Sequence, residues 1–491
     1  MQGKKHIHLI GICGTAMASL AGLLQLKGHR ITGSDQAAYP PMSDLLRRLN
    51  IPVAEPFAEK NLKPHPDLVI VGNAVSRGNV ELEYVLDEQI PFASLAQVIH
   101  DEFVTGRESL VVAGTHGKTT TTSMLAWIYE LASRREVTSR GEVASSGNAS
   151  LAPSFLIGGV AENFGTSFQL RETRPLILEG DEYDTAFFDK GPKFMQYFPD
   201  ALILTHVEFD HADIYRDLDA VKTAFKRLVN LVPRRGRIVA FDGAPNVDEC
   251  VSKAFCRVER YGFKDGSYWQ VRDLTHEGAQ SRWSVRRDGQ QWAELTLGMA
   301  GAHNALNATA AAALAAGQGV PLAAITEALA TFRSVKRRLE VRAEIDGVTI
   351  IDDFAHHPTA IRETLKALRE AYLGRRLWAV LEPRSNTLRR NVFERELVES
   401  LSLADHVVLA GVFKLESIPV AERLHPEGVV DALKRGGHDA ALLKDADAIV
   451  DGIAPELRSG DVVAILSNGG FDGIYEKLPE RLRQISVAAR G

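Results

Sequence analysis

The chain has 491 residues, enough for about three domains of ~150 residues, and its 45% apolar content excludes a largely disordered protein. The formal net charge of −6 gives no electrostatic basis for binding nucleic acid. The three cysteines, Cys13, Cys250 and Cys256, lack metal-binding spacing, and so small and odd a number predicts a reducing, cytoplasmic location.

The first stretch of the chain, from Lys4 to His29, combines a basic start with an uncharged run from Leu9 to Leu26. A secretory signal peptide has the same outline. However, "HIHLI", a helical pattern closing at Gly28 and "RITGSD" predict a strand, a glycine turn, a helix and a second strand. This order is the start of a Rossmann-like unit, and it favours a folded nucleotide-binding segment over a signal peptide or a membrane span.

The glycine turn reads G-x-x-G-x-x-M from Gly11 to Met17, whereas the dinucleotide fingerprint is G-x-G-x-x-G. An NAD-dependent enzyme is therefore not predicted. The turn at Gly11, Gly14 and Thr15 suits a pyrophosphate at a helix N-terminus, and Asp35 suits a ribose hydroxyl. On this segment alone, a plain tight turn explains the pattern equally well.

Strands alternate with helical patterns along the whole chain, which predicts parallel sheets and an α/β fold. We expect three domains: a Rossmann-like N-terminal domain at 1–107, a central phosphate-loop ATPase-type domain at 108–335 and a Rossmann-like C-terminal domain at 336–491. In the central domain, the alternating stretch from "SYWQV" to "AELTL" predicts an antiparallel meander.

The strongest local signal is "LVVAGTHGKTTTT", where a strand leads into Gly114 and a helix follows. Glycines let backbone N–H groups approach a triphosphate, Lys118 supplies charge for the β and γ phosphates, and the Thr119 hydroxyl suits Mg²⁺. The strict Walker pattern requires glycine at Val112, so this is a variant loop. We expect Lys118 to lie on a solvent-facing loop.

Two acidic stretches follow buried strands after the phosphate loop. "LILEGDEYD" carries Glu179, Asp181 and Glu182, and "LILTHVEFDHADIY" carries Glu208, Asp210 and His211. Carboxylates at the carboxyl ends of strands suit Mg²⁺, a hard cation that takes oxygen ligands. Each stretch alone could be a solvated acidic loop, but their joint position after a phosphate loop favours a metal–nucleotide site.

The third unit places polar groups where its strands should end. These are Arg337, Arg338, Asp353, His356, His357 and Arg384. Paired histidines are compatible with zinc, but the sequence offers no third and fourth ligand at useful spacing. A helix N-terminus at Pro358 is the simpler explanation of "HHPT".

Together these motifs resemble those of the Mur ligases, ATP-dependent enzymes that form amide bonds in peptidoglycan metabolism. "GTHGKTTTT", "EGDEYD", "DHADIY", "GAHNALNATAA", "KRRLE" and "DDFAHHPTAI" occur here in the family's order, from the first strand to the last. The opening stretch resembles the UDP-binding domain of the branch that uses UDP-N-acetylmuramate. The resemblance implies that the glycine turn holds the UDP pyrophosphate and that ATP and Mg²⁺ are the cofactors.

The resemblance also implies individual site residues. The ATP-binding residues are Gly114, Thr115, His116, Gly117, Lys118, Thr119, Thr120, His303, Asn304, Asn307, Arg338 and Asp353. The catalytic residues are Lys118, Glu179, His211 and Arg338. Thr119 and Glu179 would hold one Mg²⁺, and Glu179 with His211 a second. The UDP substrate would contact Gly11, Gly14, Thr15 and Asp35.

Two motifs depart from the family members that add L-alanine. "LEPRSNT" stands where those enzymes usually read like "QPHRYTR", in the pocket of the incoming amine, and "SNGGFDGI" ends another strand. We expect Arg384, Ser385, Asn386 and Asn468 to contact the amine substrate, and the glycines after Asn468 to leave room for a bulky one. The resemblance therefore predicts ligation of L-alanyl-γ-D-glutamyl-meso-diaminopimelate to UDP-N-acetylmuramate in peptidoglycan recycling; the alternative is the L-alanine ligase of peptidoglycan biosynthesis.

Further expectations concern motion and partners. Single linkers between three units predict that the third domain closes on the second, bringing Arg338 towards the phosphates. Lys226 has the spacing of a lysine that is carbamylated in some relatives, although an ordinary surface lysine is the favoured interpretation. A folylpolyglutamate-type ligase or an ATP-binding regulator would share only the phosphate loop. No membrane partner is expected, and the oligomeric state stays open.

Overall fold

The computed structural model describes residues 3–38, 42–134, 136–137, 143–144 and 148–490. Three sheets, made by residues 6–94, 108–297 and 340–466, carry helices on their faces and confirm the α/β prediction. Within these described residues, no helix combines the length and the apolar character that crossing a bilayer requires.

The N-terminal sheet has five parallel strands in the order β3-β2-β1-β4-β5. The strands are β1 (His6–Ile10), β2 (Arg30–Ser34), β3 (Val53–Ala54), β4 (Leu68–Val71) and β5 (Phe92–Ser94). The helices are α1 (Thr15–Leu26), α2 (Met42–Arg48), α3 (Val80–Asp87) and α4 (Leu95–Ile99). The strands are mostly buried because helices cover both faces of a parallel sheet.

The central sheet has ten strands in the order β10-β9-β11-β6-β14-β15-β16-β17-β18-β19. They are β6 (Glu108–Ala113), β9 (Ser154–Ala161), β10 (Thr166–Gln169), β11 (Pro175–Gly180), β14 (Ala201–Leu204), β15 (Arg237–Phe241), β16 (Arg257–Gly262), β17 (Trp269–Glu277), β18 (Gln280–Arg287) and β19 (Gln290–Leu297). The last three form the predicted meander, and β16 pairs with β17 so that the meander extends the parallel sheet.

Two short antiparallel pairs and five helices complete the central part. The pairs are β7 (Glu136–Val137) with β8 (Val143–Ala144), and β12 (Asp184–Ala186) with β13 (Asp189–Pro192). The helices are α5 (Lys118–Arg134), α6 (Leu218–Leu231), α7 (Pro245–Val251), α8 (Ala302–Gly317) and α9 (Leu322–Ala330).

The C-terminal sheet has six strands in the order β20-β21-β25-β22-β23-β24, parallel except for the edge strand β20. The strands are β20 (Glu340–Ile345), β21 (Val348–Asp353), β22 (Leu377–Leu381), β23 (His406–Ala410), β24 (Asp439–Leu443) and β25 (Val462–Leu466). The helices are α10 (Pro358–Ala371), α11 (Glu394–Leu401), α12 (Pro426–Arg435), α13 (Ala446–Ile453) and α14 (Ile474–Arg490).

The N-terminal and central parts share an apolar core. Helix α1 packs against β9 and β10, and a Cβ atom added to Gly22 would lie 2.2 Å from the Phe168 ring. Beside it, the buried hydroxyls of Ser19 and Ser167 are 2.7 Å apart. The C-terminal part has its own apolar clusters on the two faces of its sheet and meets the central part through polar side chains. These two interfaces therefore differ in chemistry.

Candidate active site

The phosphate loop connects β6 to α5 at the carboxyl edge of the central sheet. Gly114 and Gly117 have φ angles of 132° and 79°, which disfavour other residues. A Cβ atom at Gly114 would lie 2.1 Å from the Thr205 hydroxyl oxygen, so the loop also needs glycine for space. The backbone N–H of Thr115 donates at 2.7 Å to the carbonyl of His206, which follows strand β14.

Lys118 is the first residue of α5, and its ammonium is largely buried rather than solvent-facing as expected from the sequence. It donates to both carboxylate oxygens of Glu182, at 2.7 and 3.0 Å, and to the Gly114 carbonyl at 2.7 Å. Burial lowers the pKa of Lys118, but Glu182 and the neighbouring carboxylates outweigh burial and raise it. The lysine therefore keeps its positive charge in the site.

His211 contacts Glu182, with 3.3 Å between its Nε2 atom and the carboxylate. Burial opposes the imidazolium, but Glu182 and Asp210 outweigh burial and raise the pKa of His211. The backbone at His211 is left-handed, with φ 55°, a costly conformation typical of functional positions. The sequence noted Glu182 without giving it a role, and the structure makes it the carboxylate that joins Lys118 to His211.

Thr119 and Glu179, the residues predicted to share a Mg²⁺, lie together. The Thr119 hydroxyl donates to Glu179 at 2.8 Å, and the Gly158 backbone N–H donates to the other carboxylate oxygen at 2.6 Å. Burial raises the pKa of Glu179. A hydroxyl and a buried carboxylate are hard oxygen donors, so the pair fits Mg²⁺ chemistry.

A polar cluster joins the phosphate loop to the C-terminal part. His116 lies 3.1 Å from Glu208, and the Thr359 hydroxyl donates to the same oxygen of Glu208 at 2.7 Å. His357 comes within 3.8 Å of it. Among the described residues, His116, Glu208 and His357 are the one group of histidines and carboxylates whose ligand atoms gather closely enough for a metal. The Oε2 atom of Glu208 already has two hydrogen-bond partners, and the one from Thr359 links the cluster to the C-terminal part.

A cavity of about 380 Å³ opens between the phosphate loop, α8 and the start of α10. Eight of the predicted ATP residues line it: His116, Gly117, Thr120, His303, Asn304, Asn307, Arg338 and Asp353. The Nδ1 atom of His303 is buried without a hydrogen-bond partner, and burial lowers the pKa of His303. An unpaired neutral imidazole nitrogen is suited to a hydrogen bond with a base edge.

The same cavity has apolar walls that the sequence did not indicate, from Phe241, Phe263 and Met299. These side chains suit a flat aromatic ring. Asp353, one of the predicted ATP-binding residues, already accepts backbone N–H groups from Leu339 at 2.8 Å and Ala355 at 2.9 Å. Its carboxylate thus fixes the linker that carries Arg338 as well as lining the cavity.

A second cavity, of about 540 Å³, lies at the glycine turn of the N-terminal part. Gly11, Gly14 and Asp35 line it, whereas Thr15 is the exposed first residue of α1 and is not among the lining residues. Asp35 accepts the backbone N–H of Cys13 at 2.9 Å, which holds the turn closed. The loop at 72–79 forms the other wall of this cavity. The sequence did not predict this role for the loop.

A third cavity, of about 370 Å³, lies between the central and C-terminal parts. It brings together all four predicted amine-site residues, Arg384, Ser385, Asn386 and Asn468. Arg384 donates to Glu382 at 3.2 Å and stacks 3.8 Å from the centre of the Phe413 ring. Ser385 is less available to a substrate than expected, since its hydroxyl donates to the His356 carbonyl at 3.2 Å and accepts a hydrogen bond from the Leu388 backbone N–H at 3.0 Å.

The glycine after Asn468 has a different role from the predicted one. A Cβ atom at Gly469 would lie 2.1 Å from Nε of Arg384, so this glycine makes room for the arginine rather than for a bulky substrate. Around Gly470 there is open space. Asn468 has a buried carbonyl oxygen without a hydrogen-bond partner, and it lines the cavity.

The third cavity includes residues that the sequence did not single out for it. These are Tyr183, Asp210, His211, His356, Thr387, Arg389, Phe413, Lys414 and Ser417. Thr387 donates to Asp210 at 2.6 Å and Asn386 donates to the Tyr183 hydroxyl at 3.1 Å, so this wall spans two domains. His211 therefore lines the third cavity and also contacts the Glu182 that pairs with Lys118.

Lys226 lies away from these cavities on α6. Its ammonium pairs with Glu249 of α7 at 2.6 Å, and both side chains are about half exposed. The structure thus places it as a surface lysine, in agreement with the favoured interpretation.

Comparison with known proteins gives matches along nearly the whole chain. Three family models match in succession: "Mur ligase family, catalytic domain" at residues 6–103, "Mur ligase middle domain" at 112–315 and "Mur ligase, glutamate ligase domain" at 337–469.

Two full-length relatives are named UDP-N-acetylmuramate–L-alanyl-γ-D-glutamyl-meso-2,6-diaminoheptandioate ligase. The one from Escherichia coli (strain K12) is 42% identical and covers 99% of this chain and 100% of its own. The one from Haemophilus influenzae is 38% identical and covers 98% and 99%. A crystal structure of a murein peptide ligase from Psychrobacter arcticus superposes with a TM-score of 0.72 at 34% identity, covering 97% of this chain and 98% of its own. Relatives named UDP-N-acetylmuramate–L-alanine ligase follow at 29–33% identity.

Proposed function

This chain belongs to the Mur ligase family, and on that premise we propose that it joins L-alanyl-γ-D-glutamyl-meso-diaminopimelate to UDP-N-acetylmuramate with ATP, in peptidoglycan recycling. The observation that carries the proposal is the third cavity. It is rich in cationic side chains, it has His211 in its wall, and His211 contacts the Glu182 that pairs with Lys118.

The chemistry starts from the poor reactivity of a carboxylate towards an amine. Transfer of the γ-phosphoryl group of ATP to the muramyl carboxylate gives an acyl phosphate and ADP. The peptide amine then attacks the acyl carbon, a C–N bond forms, the C–O bond to phosphate breaks, and the amine loses a proton. Both steps concentrate negative charge, so positioning and charge neutralisation dominate catalysis.

The residues at the phosphate loop supply that neutralisation. Lys118 is held charged by Glu182 and lies at the N-terminus of α5, where backbone N–H groups also favour anions. Thr119 and Glu179 would hold Mg²⁺, which supplies charge stabilisation on the phosphate oxygens when bound. Arg338, carried by the C-terminal part, lines the ATP cavity and would reach the phosphates from the opposite side.

The substrates are divided among the three cavities. The N-terminal cavity at Gly11 and Asp35 would take the UDP group, and the cavity with His303 would take adenine. The peptide amine would enter the third cavity, beside His211 and Asp210. Arg384 would offer its unpaired edge to a peptide carboxylate, because its Nη1 atom is engaged by Glu382.

The test is a reconstituted reaction with purified protein, ATP, MgCl₂, UDP-N-acetylmuramate and the tripeptide. ADP release should require all of these components, and mass spectrometry should detect UDP-N-acetylmuramyl-tripeptide. ADP release without any amine would contradict the ligase and indicate an ATP-binding regulator. Product formed from L-alanine but not from the tripeptide would replace the proposal by the biosynthetic L-alanine ligase.

A further inference from the structure

At the outer end of the amine cavity, the cations Arg389 and Lys414 form no direct ion pair with a carboxylate of the described residues. Arg389 donates from Nη1 to the Ser417 hydroxyl at 2.9 Å and to the backbone carbonyls of Lys414 and Phe413, at 3.3 and 3.4 Å. Its Nη2 atom donates to the Asn386 side-chain oxygen. All these acceptors are neutral, and its Nε atom is buried without a partner. Arg389 thus forms no direct ion pair, although the Asp213 and Glu416 carboxylates are near enough to act on its charge.

Lys414 stands at the mouth of the same cavity. Its side chain is exposed, and its ammonium lies 5.3 Å from the centre of the Phe413 ring. Its backbone is left-handed, with φ 46°, and its carbonyl is held by both Arg389 and Ser417. The residues 413–417, here called the rim segment, are therefore fixed in place by Arg389.

The inner end of the cavity differs from this rim in charge. Asp210 and His211 lie there beside the catalytic centre, and His356 and Tyr183 complete the wall. A reacting amine must approach this inner end, because the acyl phosphate forms next to Lys118. A three-residue peptide reaches roughly 10 Å from its amine, so its far end lies towards the rim segment.

Resting on the proposed function, we propose that the rim segment recognises the far end of the peptide. Lys414 contacts the side-chain carboxylate of the diaminopimelate residue, and Arg389 is a positioning residue that holds the rim segment and adds positive field. The tripeptide carries three carboxylates beyond its reacting amine. Arg384 is already paired with Glu382, so Arg389 and Lys414, which form no direct ion pair, select for a peptide with distant carboxylates.

The experiment compares two tripeptides that differ in this one group. The first ends in meso-diaminopimelate, and the second has L-lysine in its place, which keeps the side-chain amine and the α-carboxylate but lacks the side-chain carboxylate. The variants are Lys414→Met and, as a matched control, Lys444→Met, whose exposed lysine lies elsewhere on the C-terminal part beside Asp445. kcat and KM are measured for each peptide with ATP and UDP-N-acetylmuramate saturating.

The wild-type enzyme should prefer the diaminopimelate peptide by about five- to tenfold in kcat/KM, the range of a partly exposed charged contact. In Lys414→Met this preference should fall below twofold, through KM, while Lys444→Met keeps it. Arg389→Lys should raise KM for both tripeptides with a melting temperature close to that of the wild type. Its KM for L-alanine should stay unchanged.

An unchanged peptide preference in Lys414→Met would overturn the inference, as would a wild-type enzyme that does not distinguish the two peptides. Either result would leave the proposed function standing as long as tripeptide product is made. Failure of the wild-type enzyme to ligate either tripeptide would instead contradict the proposed function itself.

Discussion

The proposed catalytic centre at Lys118 and the proposed amine cavity at Arg389 both include His211, but they differ in whether their charged side chains form ion pairs. At the centre, each buried charge has a partner: Lys118 contacts Glu182, which also contacts His211. At the outer end of the amine cavity, Arg389 contacts only neutral oxygens. The charges of the centre therefore have partners before substrates arrive, whereas cations without a direct ion pair are available to a charged ligand. The contrast predicts where a substitution damages folding, catalysis or selectivity.

The largest effect is expected at the centre. Lys118→Ala should lower kcat by about a hundred- to a thousandfold, since removing one donor to a developing charge costs ~3–4 kcal/mol. It should also reduce the free energy of unfolding, because Glu182 would be left buried with only His211 as its charged partner. Turnover and thermal unfolding are measured together. Lys477→Ala, which breaks an exposed pair with Asp447, is the control. Turnover within tenfold of the wild type would refute the role of Lys118.

Glu179→Gln should have a slightly smaller effect, which falls on the magnesium-dependent chemistry and not on binding of the UDP substrate. The change keeps the size of the side chain but removes the charge that would hold Mg²⁺ beside Thr119. Magnesium-dependent ADP release should fall at least a hundredfold. Calorimetric binding of UDP-N-acetylmuramate should persist, since the glycine-turn cavity belongs to another part of the chain. Loss of that binding would show that the two sites are not separable.

An intermediate effect is expected where the two regions meet. Thr387→Val removes the hydroxyl that donates to Asp210 across the interface at 2.6 Å. A buried carboxylate that loses one donor costs about 1–3 kcal/mol, so kcat/KM for the peptide should fall roughly tenfold. Small-angle scattering with an ATP analogue and UDP-N-acetylmuramate should show a larger radius of gyration than the wild type shows. The control is Thr326→Val, at a half-buried position of α9 whose hydroxyl donates to the Ala323 carbonyl of its own helix, and equal effects of both variants would argue against the interface.

The smallest effect is expected at Lys226. Its exposed pair with Glu249 is worth less than about 1 kcal/mol, and the structure gives it no contact with the cavities. Lys226→Met should keep kcat within twofold and leave the magnesium dependence unchanged. A tenfold loss that bicarbonate partly restores would instead indicate a carbamylated lysine in the site.

The sequence was most informative about the catalytic centre. Phosphate chemistry requires glycines, a lysine and a hydroxyl at fixed spacing along one strand–helix turn, so Gly114 to Thr119 could be located from their pattern. The same local reasoning located the strands that precede Glu179 and His211. It could not show that Lys118 is buried, because the Glu182 carboxylate that covers it is distant in the chain and comes from a different strand.

The amine cavity was less predictable for a physical reason. Arg384, Ser385 and Asn386 follow one strand and were found as a motif, but Phe413, Lys414 and Ser417 come from a loop without a regular pattern. Their position depends on Arg389, whose hydrogen bonds to that loop are tertiary contacts. The prediction that Gly469 leaves room for the substrate was wrong for a similar reason. The space beside Gly469 is filled by Arg384, which comes from another segment of the chain.

The central claim, that this enzyme ligates a peptide rather than a single amino acid, is tested most directly by competition. The tripeptide and L-alanine are offered together with saturating ATP and UDP-N-acetylmuramate, and both products are quantified by mass spectrometry. The tripeptide should show a much higher kcat/KM, because L-alanine would leave Lys414 and Asn468 without partners. A kcat/KM for L-alanine equal to or above that for the tripeptide would contradict it.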